Sequence, residues 1–139
     1  MKRLLALLLC STFALFTLHA ESVVATPTPA ALATGGGKLV LDVTIDYGAA
    51  PAALGLSLDL PTGWSLVSVA GDAKPVIVPD PGTTDKLDFA WLTAPAQSAS
   101  FSITVQYPAN AGGTILAGKA ILRRDGKSLD LPLSVSLGG

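Results

Sequence analysis

The stretch LGLSLDLPTGWSLVSVA, Leu54 to Ala70, decides the fold class of this chain. Leu54, Leu56, Leu58 and Leu60 alternate with Gly55, Ser57 and Asp59, the period of a strand with one dry face. In Leu60-Pro61-Thr62-Gly63 the proline stands at i+1 and the glycine at i+3, which predicts a type I turn. Trp64 to Ala70 resumes as a second strand, so the stretch reads as a corner between two strands.

The same period continues on either side. Upstream, Leu39, Leu41, Val43, Ile45 and Tyr47 share one face while Asp42, Thr44 and Asp46 take the other, the pattern of a half-buried antiparallel strand. Before it, Ser22 to Thr26 is compatible with a short first strand. Pro27-Thr28-Pro29, an Ala-rich segment and the triple glycine 35 to 37 then predict a flexible approach,. Downstream, Leu87, Phe89 and Trp91 alternate against Asp88 and Ala90, as do Phe101, Ile103, Val105 and Tyr107 against Ser102, Thr104 and Gln106. Between these and Ala70, the run Val76-Ile77-Val78 is bracketed by Pro75 and Pro79. Proline cannot donate to a ladder, so this run is expected at a sheet edge.

Asp125-Gly126 is a two-residue hairpin signal, and a type I′ turn there pairs Arg124 with Lys127. Carried outward, that register pairs Leu122 with Leu129, Ala120 with Leu131, Gly118 with Leu133 and Leu116 with Val135, all on one apolar face. Ile121 with Asp130, Lys119 with Pro132 and Ala117 with Ser134 fall on the other. A slip of one residue would bury Asp130 and Ser134, so turn chemistry and hydrophobic pattern agree. Seven to nine short strands, no helical period and Gly/Pro turns at intervals of about ten residues predict an all-β, antiparallel two-sheet β-sandwich.

The first 20 residues are different in kind. Met1-Lys2-Arg3 is basic, Leu4 to Leu18 is apolar, and Ala20 is a small residue at a plausible cleavage point. This is the pattern of a secretory signal peptide. Cleavage is expected after Ala20, with Ala25 as the second choice. Rival readings are a lipoprotein signal at Cys10, which Leu9 disfavours, and an uncleaved anchor. The expected organisation is a leader at 1–20, the approach at 21–37 and the sandwich at 38–139, with no membrane span once the leader is removed.

Cys10 is the one cysteine of the chain and His19 its one histidine, and both leave with the leader. The remainder has neither thiol nor imidazole, which removes Ser-His-Asp and Cys-His catalysis and the usual zinc and copper ligands. Its ten acids against seven bases leave about three negative charges, no footprint for nucleic acid or an anionic membrane. No carboxylate pair lies in a glycosidase-like motif. No enzyme activity and no cofactor is expected.

The segments TPTPAALATGGGKLVLDVTI, LDLPTGWSLVSVAG, LDFAWLTAP and FSITVQYPANAGG resemble the immunoglobulin-like modules of bacterial secreted and cell-surface proteins, in which a Leu-Pro-x-Gly-Trp turn leads into a short strand. Cohesin-like modules are the next nearest resemblance. It covers about Ser22 to Leu137 and implies a secreted sandwich used for spacing, adhesion, protein docking or carbohydrate contact. It carries no catalytic residue to any position here.

Three groups are candidates for binding. Trp64, beside a tight turn, could offer a sugar an aromatic face, whereas Trp91 shares a strand face with Leu87 and Phe89 and reads as core. Arg123, Arg124 and Lys127 cluster at the hairpin tip, where they could meet an acidic partner or simply solvate the turn. Asp72, Asp80, Asp85 and Asp88 could supply oxygen ligands to calcium, although loop aspartates also cap local backbone and no D-x-D-x-D-G loop is present. The expectation is a non-catalytic module, secreted, periplasmic or on the cell surface, that docks an envelope or extracellular protein or supports an assembly. The alternatives are a carbohydrate-binding module and a small outer-membrane β-barrel, the latter disfavoured by low aromatic content. Inserting one residue between Asp125 and Gly126 is expected to lower the melting temperature by breaking the hairpin register; an unchanged melting temperature would contradict the pairing.

Overall fold

Alternation becomes strand in eight places within residues 21–139, the part of the chain that the computed structural model describes. The signal-peptide reading of residues 1–20, with Cys10 and His19, lies outside the described residues. The strands are β1 (Ser22–Thr28), β2 (Gly37–Gly48), β3 (Ala53–Asp59), β4 (Ser65–Ala70), β5 (Lys86–Trp91), β6 (Gln97–Tyr107), β7 (Ile115–Arg124) and β8 (Lys127–Ser136). They form two four-stranded sheets, ordered β1-β2-β6-β4 and β5-β3-β7-β8, with every pairing between strands antiparallel. This is the two-sheet sandwich that the period predicts. A closed barrel it is not, because the two sheets are separate and enclose an apolar interior.

The sheets meet through their alternating apolar rows. One sheet contributes Leu39, Leu41, Val43, Ile45 and Tyr47 from β2 with Ala99, Phe101, Ile103, Val105 and Tyr107 from β6. The other contributes Leu54, Leu56 and Leu58 from β3, Leu87, Phe89 and Trp91 from β5, Leu116, Ala120 and Leu122 from β7, and Leu133 and Val135 from β8. Phe101 bridges them, making edge-on contacts with Phe89 (5.7 Å between centroids) and Trp91 (5.3 Å). Such offset geometry matches the quadrupoles of the rings.

The β7–β8 hairpin has the expected register from Arg124↔Lys127 to Leu116↔Val135. Asp125 and Gly126 both have positive φ, 50° and 74°, as a type I′ turn requires. Gly118 meets a second demand: a Cβ there would run into the backbone of Ser57 and Leu58 on β3. Pro132 lies on edge strand β8, where its missing N–H discourages pairing with another chain.

The decisive stretch does carry the chain from one sheet to the other, since β3 and β4 lie in different sheets. Its turn is set one residue later than expected. The Trp64 N–H donates to the Pro61 carbonyl at 3.1 Å and Gly63 has φ 89°, so glycine occupies i+2 of a Pro61–Trp64 turn. Positive φ at i+2 costs glycine little and other residues more, which selects this setting over the one with glycine at i+3.

Two further expectations are revised. Val76 to Val78 forms no strand; Ile77 alone bridges Ala90 on β5, because the flanking prolines remove the donors that would extend the ladder,. The first strand is longer than Ser22 to Thr26 and runs through Pro27 to Thr28, paired with β2 from Ser22↔Asp46 to Thr28↔Val40. The segment after it is bonded on several sides. Leu32 N–H donates to Gly138 O (2.8 Å), Gly138 N–H to Ala30 O (2.9 Å), Asn110 N–H to Thr34 O (2.9 Å) and Ala33 N–H to the Tyr107 hydroxyl (3.0 Å). The sandwich therefore includes the residues before Lys38. Phe89 is 3% exposed, and Phe89→Ala is expected to cost about 3–5 kcal/mol in denaturant unfolding; a loss under about 1 kcal/mol would remove Phe89 from the core.

Candidate functional site

Trp64 precedes β4 on the inward side of the corner, 1% exposed and tilted against Tyr107 at 5.7 Å. It has no face to offer a sugar: the turn that made it a candidate directs the indole into the end of the core. Trp91 is buried too, its Nε1–H donating to the Ala73 carbonyl at 2.8 Å. Among the described residues every aromatic side chain is buried, namely Tyr47, Trp64, Phe89, Trp91, Phe101 and Tyr107. Stacking on a sugar needs an open ring face, so this part of the chain holds no aromatic platform.

The four aspartates are not drawn together. Among the described residues no three acidic, histidine or cysteine side chains converge as metal ligands would. Asp80 serves its own turn, its carbonyl accepting from both the N–H and the hydroxyl of Thr83 (3.1 and 2.6 Å). Asp85 takes a positive φ, 70°, a conformation aspartate tolerates in turns.

Strand parity separates Arg124 from Arg123, while Lys127 lies opposite Arg124 at the tip of the hairpin. Arg124 continues the inward row of Leu116, Ala120 and Leu122 past the end of the core. Its guanidinium pairs with Glu21 at 2.5 Å and donates to the carbonyls of Tyr47 (2.9 Å) and Ala49 (2.5 Å). It thus ties the first strand, the β2–β3 connection and the hairpin together. Arg123 and Lys127 are exposed. A hollow of about 380 Å³ beside them is lined by Leu122, Arg124, Asp125, Lys127, Ser128 and Leu129.

The outer faces of the two sheets differ in chemistry. On the β1-β2-β6-β4 sheet two polar pairs are hydrogen-bonded, the Ser102 hydroxyl donating to Asp42 (2.7 Å) and the hydroxyls of Thr44 and Ser100 lying 3.2 Å apart, beside the exposed Val24. On the β5-β3-β7-β8 sheet, register places Ile77, Ala90, Gly55, Ile121 and Asp130 side by side in one row. A parallel row holds Asp88, Ser57, Lys119 and Pro132, and another Ala53, Arg123 and Ser128. The centre of this face is floored by small residues, Ala90, Gly55, Ser57 and Ala53. Ile77, 54% exposed, bounds it on one side and Ile121 on the other. Three strand spacings separate the two isoleucines, about 14 Å. The result is a shallow trough wide enough for one helix or an extended segment. Leu92, 73% exposed, follows β5 near one end; Arg123 marks that end on β7, beyond Lys119, which pairs with Asp130 at 3.4 Å.

The trough did not emerge from sequence reasoning. Gly55 and Ser57 at outward positions and Ile121 on a polar face were the visible signals, but nothing local says that β3 lies between β5 and β7.

The fold defined by these sheets belongs to the class of two-sheet, cohesin-like sandwiches. It is similar to the seventh ScaB type I cohesin from Pseudobacteroides cellulosolvens, with a TM-score of 0.54 and 14% identity over 88% of this chain and 94% of that one. It is also similar to a non-cellulosomal cohesin from the hyperthermophilic archaeon Archaeoglobus fulgidus, with a TM-score of 0.52 and 13% identity over 87% of this chain and 93% of that one. At these identities the likeness is one of fold. No family model and no curated protein matches the sequence.

Two measurements test this geometry. Arg124→Ala is expected to lose about 1.5–3 kcal/mol of stability, because it removes charged hydrogen bonds and leaves carbonyl acceptors unpaired. Arg123→Ala is expected to stay within about 0.5 kcal/mol; equal losses in urea unfolding would contradict the division by parity. Burial of the Tyr47 phenol raises its pKa above the ordinary 10.0 by desolvation. The folded state then keeps a proton that the unfolded chain releases above that value, so the contribution is whole below pH 10.0 and lost as pH climbs through the raised pKa,. Tyr47→Phe is expected to flatten that alkaline decline in stability, and an identical decline in both proteins would refute it.

Proposed function

We propose that this chain is an exported, non-catalytic docking module that holds a partner protein in an envelope or extracellular assembly, by way of the outer face of the β5-β3-β7-β8 sheet. The observation that carries this reading is the trough. This outward face sets the small residues Ala90, Gly55 and Ala53 beside Ile77, 54% exposed, and Ile121, apolar surface that a partner can cover, whereas the opposite outer face carries hydrogen-bonded pairs at Asp42–Ser102 and Thr44–Ser100,. Small floor residues let a partner backbone approach closely, and the isoleucine walls give it apolar contact. Arg123 at the end of the trough is placed to meet an acidic group of the same partner.

Other features support the reading. The leader composition of residues 1–20 favours export to a secreted, periplasmic or cell-surface location. Residues 21–139 contain no cysteine or histidine for nucleophilic or general acid-base work. The likeness to cohesins adds an analogy of fold, which by itself assigns no partner.

The test uses residues 21–139 immobilised as bait for extracts of the producing organism's envelope and medium. Capture of a defined protein is expected, lost in Ala90→Trp, which fills the trough, weakened in Arg123→Glu, and kept in Asp42→Lys on the opposite sheet, with melting temperatures confirming that each variant folds. Capture that survives Ala90→Trp but fails in Asp42→Lys would move the site to the other sheet. A glycan bound in place of any protein would overturn the docking role.

A further inference from the structure

The segment Lys74-Pro75-Val76-Ile77-Val78-Pro79-Asp80 reads the same in both directions about Ile77 except at its ends, where a cation stands at one and an acid at the other. Such a sequence is complementary to its own reverse, which is what a two-fold axis presents to it. Val76, Ile77 and Val78 are 64%, 54% and 41% exposed, so three of the seven large apolar side chains exposed among the described residues are consecutive. Scattered apolar residues are ordinary on a surface; a contiguous run is a contact waiting for a partner.

Backbone chemistry says what kind of partner fits. The Ile77 N–H donates to the Ala90 carbonyl and the Ala90 N–H to the Ile77 carbonyl, both at 3.0 Å, so both polar groups of Ile77 face β5. In a trans peptide the carbonyl and the N–H point opposite ways. The Val76 carbonyl and the Val78 N–H therefore point away from β5, and no hydrogen bond among the described residues takes up either. The flanking prolines, which stop the ladder toward β5, remove no donor from this outer side. Elsewhere the sheet edges are less open: β1 and β8 lie against each other, β8 carries Pro132, and Leu66 of β4 is bonded to Thr83 and Gly82.

We propose that this edge is the contact of a two-fold dimer, in which a second copy of this chain lies antiparallel to the first about Ile77. The Val78 N–H of each copy donates to the Val76 carbonyl of the other, giving two reciprocal bonds. Ile77 faces its own counterpart as a non-hydrogen-bonded pair, the closer of the two kinds of side-chain pair. The same register sets Lys74 of each copy beside Asp80 of the other. Both residues are exposed, and neither side chain has an ion pair among the described residues. Asp80 spends its carbonyl on its own turn and leaves its carboxylate to the second copy. The chain bends at Val76, yet Lys74 lines the same hollow of about 430 Å³ as Val76 and Val78, and its flexible four-carbon stem spans the offset. The contact uses the edge of the sheet and leaves the trough floor open.

Sedimentation velocity of the purified protein, taken up to about 1 mM because so small a contact is weak, is expected to show a monomer–dimer equilibrium. Lys74→Asp alone, or Asp80→Lys alone, sets like charges together twice across the axis and is expected to weaken dimerisation by on the order of tenfold. An equimolar mixture of the two variants is expected to recover the association as heterodimers, since opposite charges then meet at both ends. Val78→Pro, which removes the donor, is expected to abolish it, with melting temperatures confirming that each variant folds. A protein that stays monomeric throughout would overturn the proposal. So would a dimer indifferent to both single reversals, or a mixture that recovers nothing.

Discussion

The fold depends on one constraint: strand side chains alternate with a period of two, and each strand in this chain spends one of its two faces on a shared dry interior. No cysteine lies within residues 21–139, so no disulfide staples the sheets, and their cohesion rests on the apolar rows that meet between them. A one-residue slip anywhere would exchange a leucine row for serine and aspartate. The cost of such a slip explains why turn chemistry and hydrophobic pattern agree so closely in the β7–β8 hairpin. There the Asp125-Gly126 turn and the Leu116, Ala120 and Leu122 row require the same register independently.

Closing the two ends of the sandwich is a separate problem, and the chain solves it twice. At one end Trp64 and Tyr107 plug the core, and the Tyr107 hydroxyl accepts from the Ala33 backbone, so the approach to β2 is tied to the plug. At the other end the Tyr47 hydroxyl donates to the Pro95 carbonyl, and Arg124 reaches over the last leucines to Glu21 and to the Tyr47 and Ala49 carbonyls. Aromatic rings supply area with one polar handle, and arginine supplies a planar set of donors that can bind several carbonyls at once. Each end thus buries polar chain crossings against hydrogen-bonding partners, with the Arg124 Nε–H left buried and unpaired.

With the ends and interior committed, the surfaces left for function are the outer faces and the hairpin. One outer face pairs Asp42 with Ser102 and Thr44 with Ser100. The other presents small side chains between Ile77 and Ile121, half-covered at Gly55 and Ala90 and buried at Ser57. This contrast, more than any single residue, is the ground of the proposed docking role. The residues most conspicuous in the sequence, Trp64 and Arg124, are spent on the fold.

Sequence alone determined the strands, the hairpin register and the inward identity of nearly every large apolar residue, because these follow from local periodicity and from a turn type that only certain residues can adopt. It also showed that residues 21–139 hold no thiol and no imidazole. It could not decide that Val76 to Val78 would shrink to a single bridge, since two prolines limit a ladder only in the presence of the strand they fail to pair with. Nor could it place Trp64, whose direction depends on which residue the turn puts at positive φ. The trough was beyond its reach for a more general reason. Ala90, Gly55 and Ile121 are dozens of residues apart and become one surface only when β3 is laid between β5 and β7. Strand order is settled by the packing of the whole chain, and no local pattern encodes it.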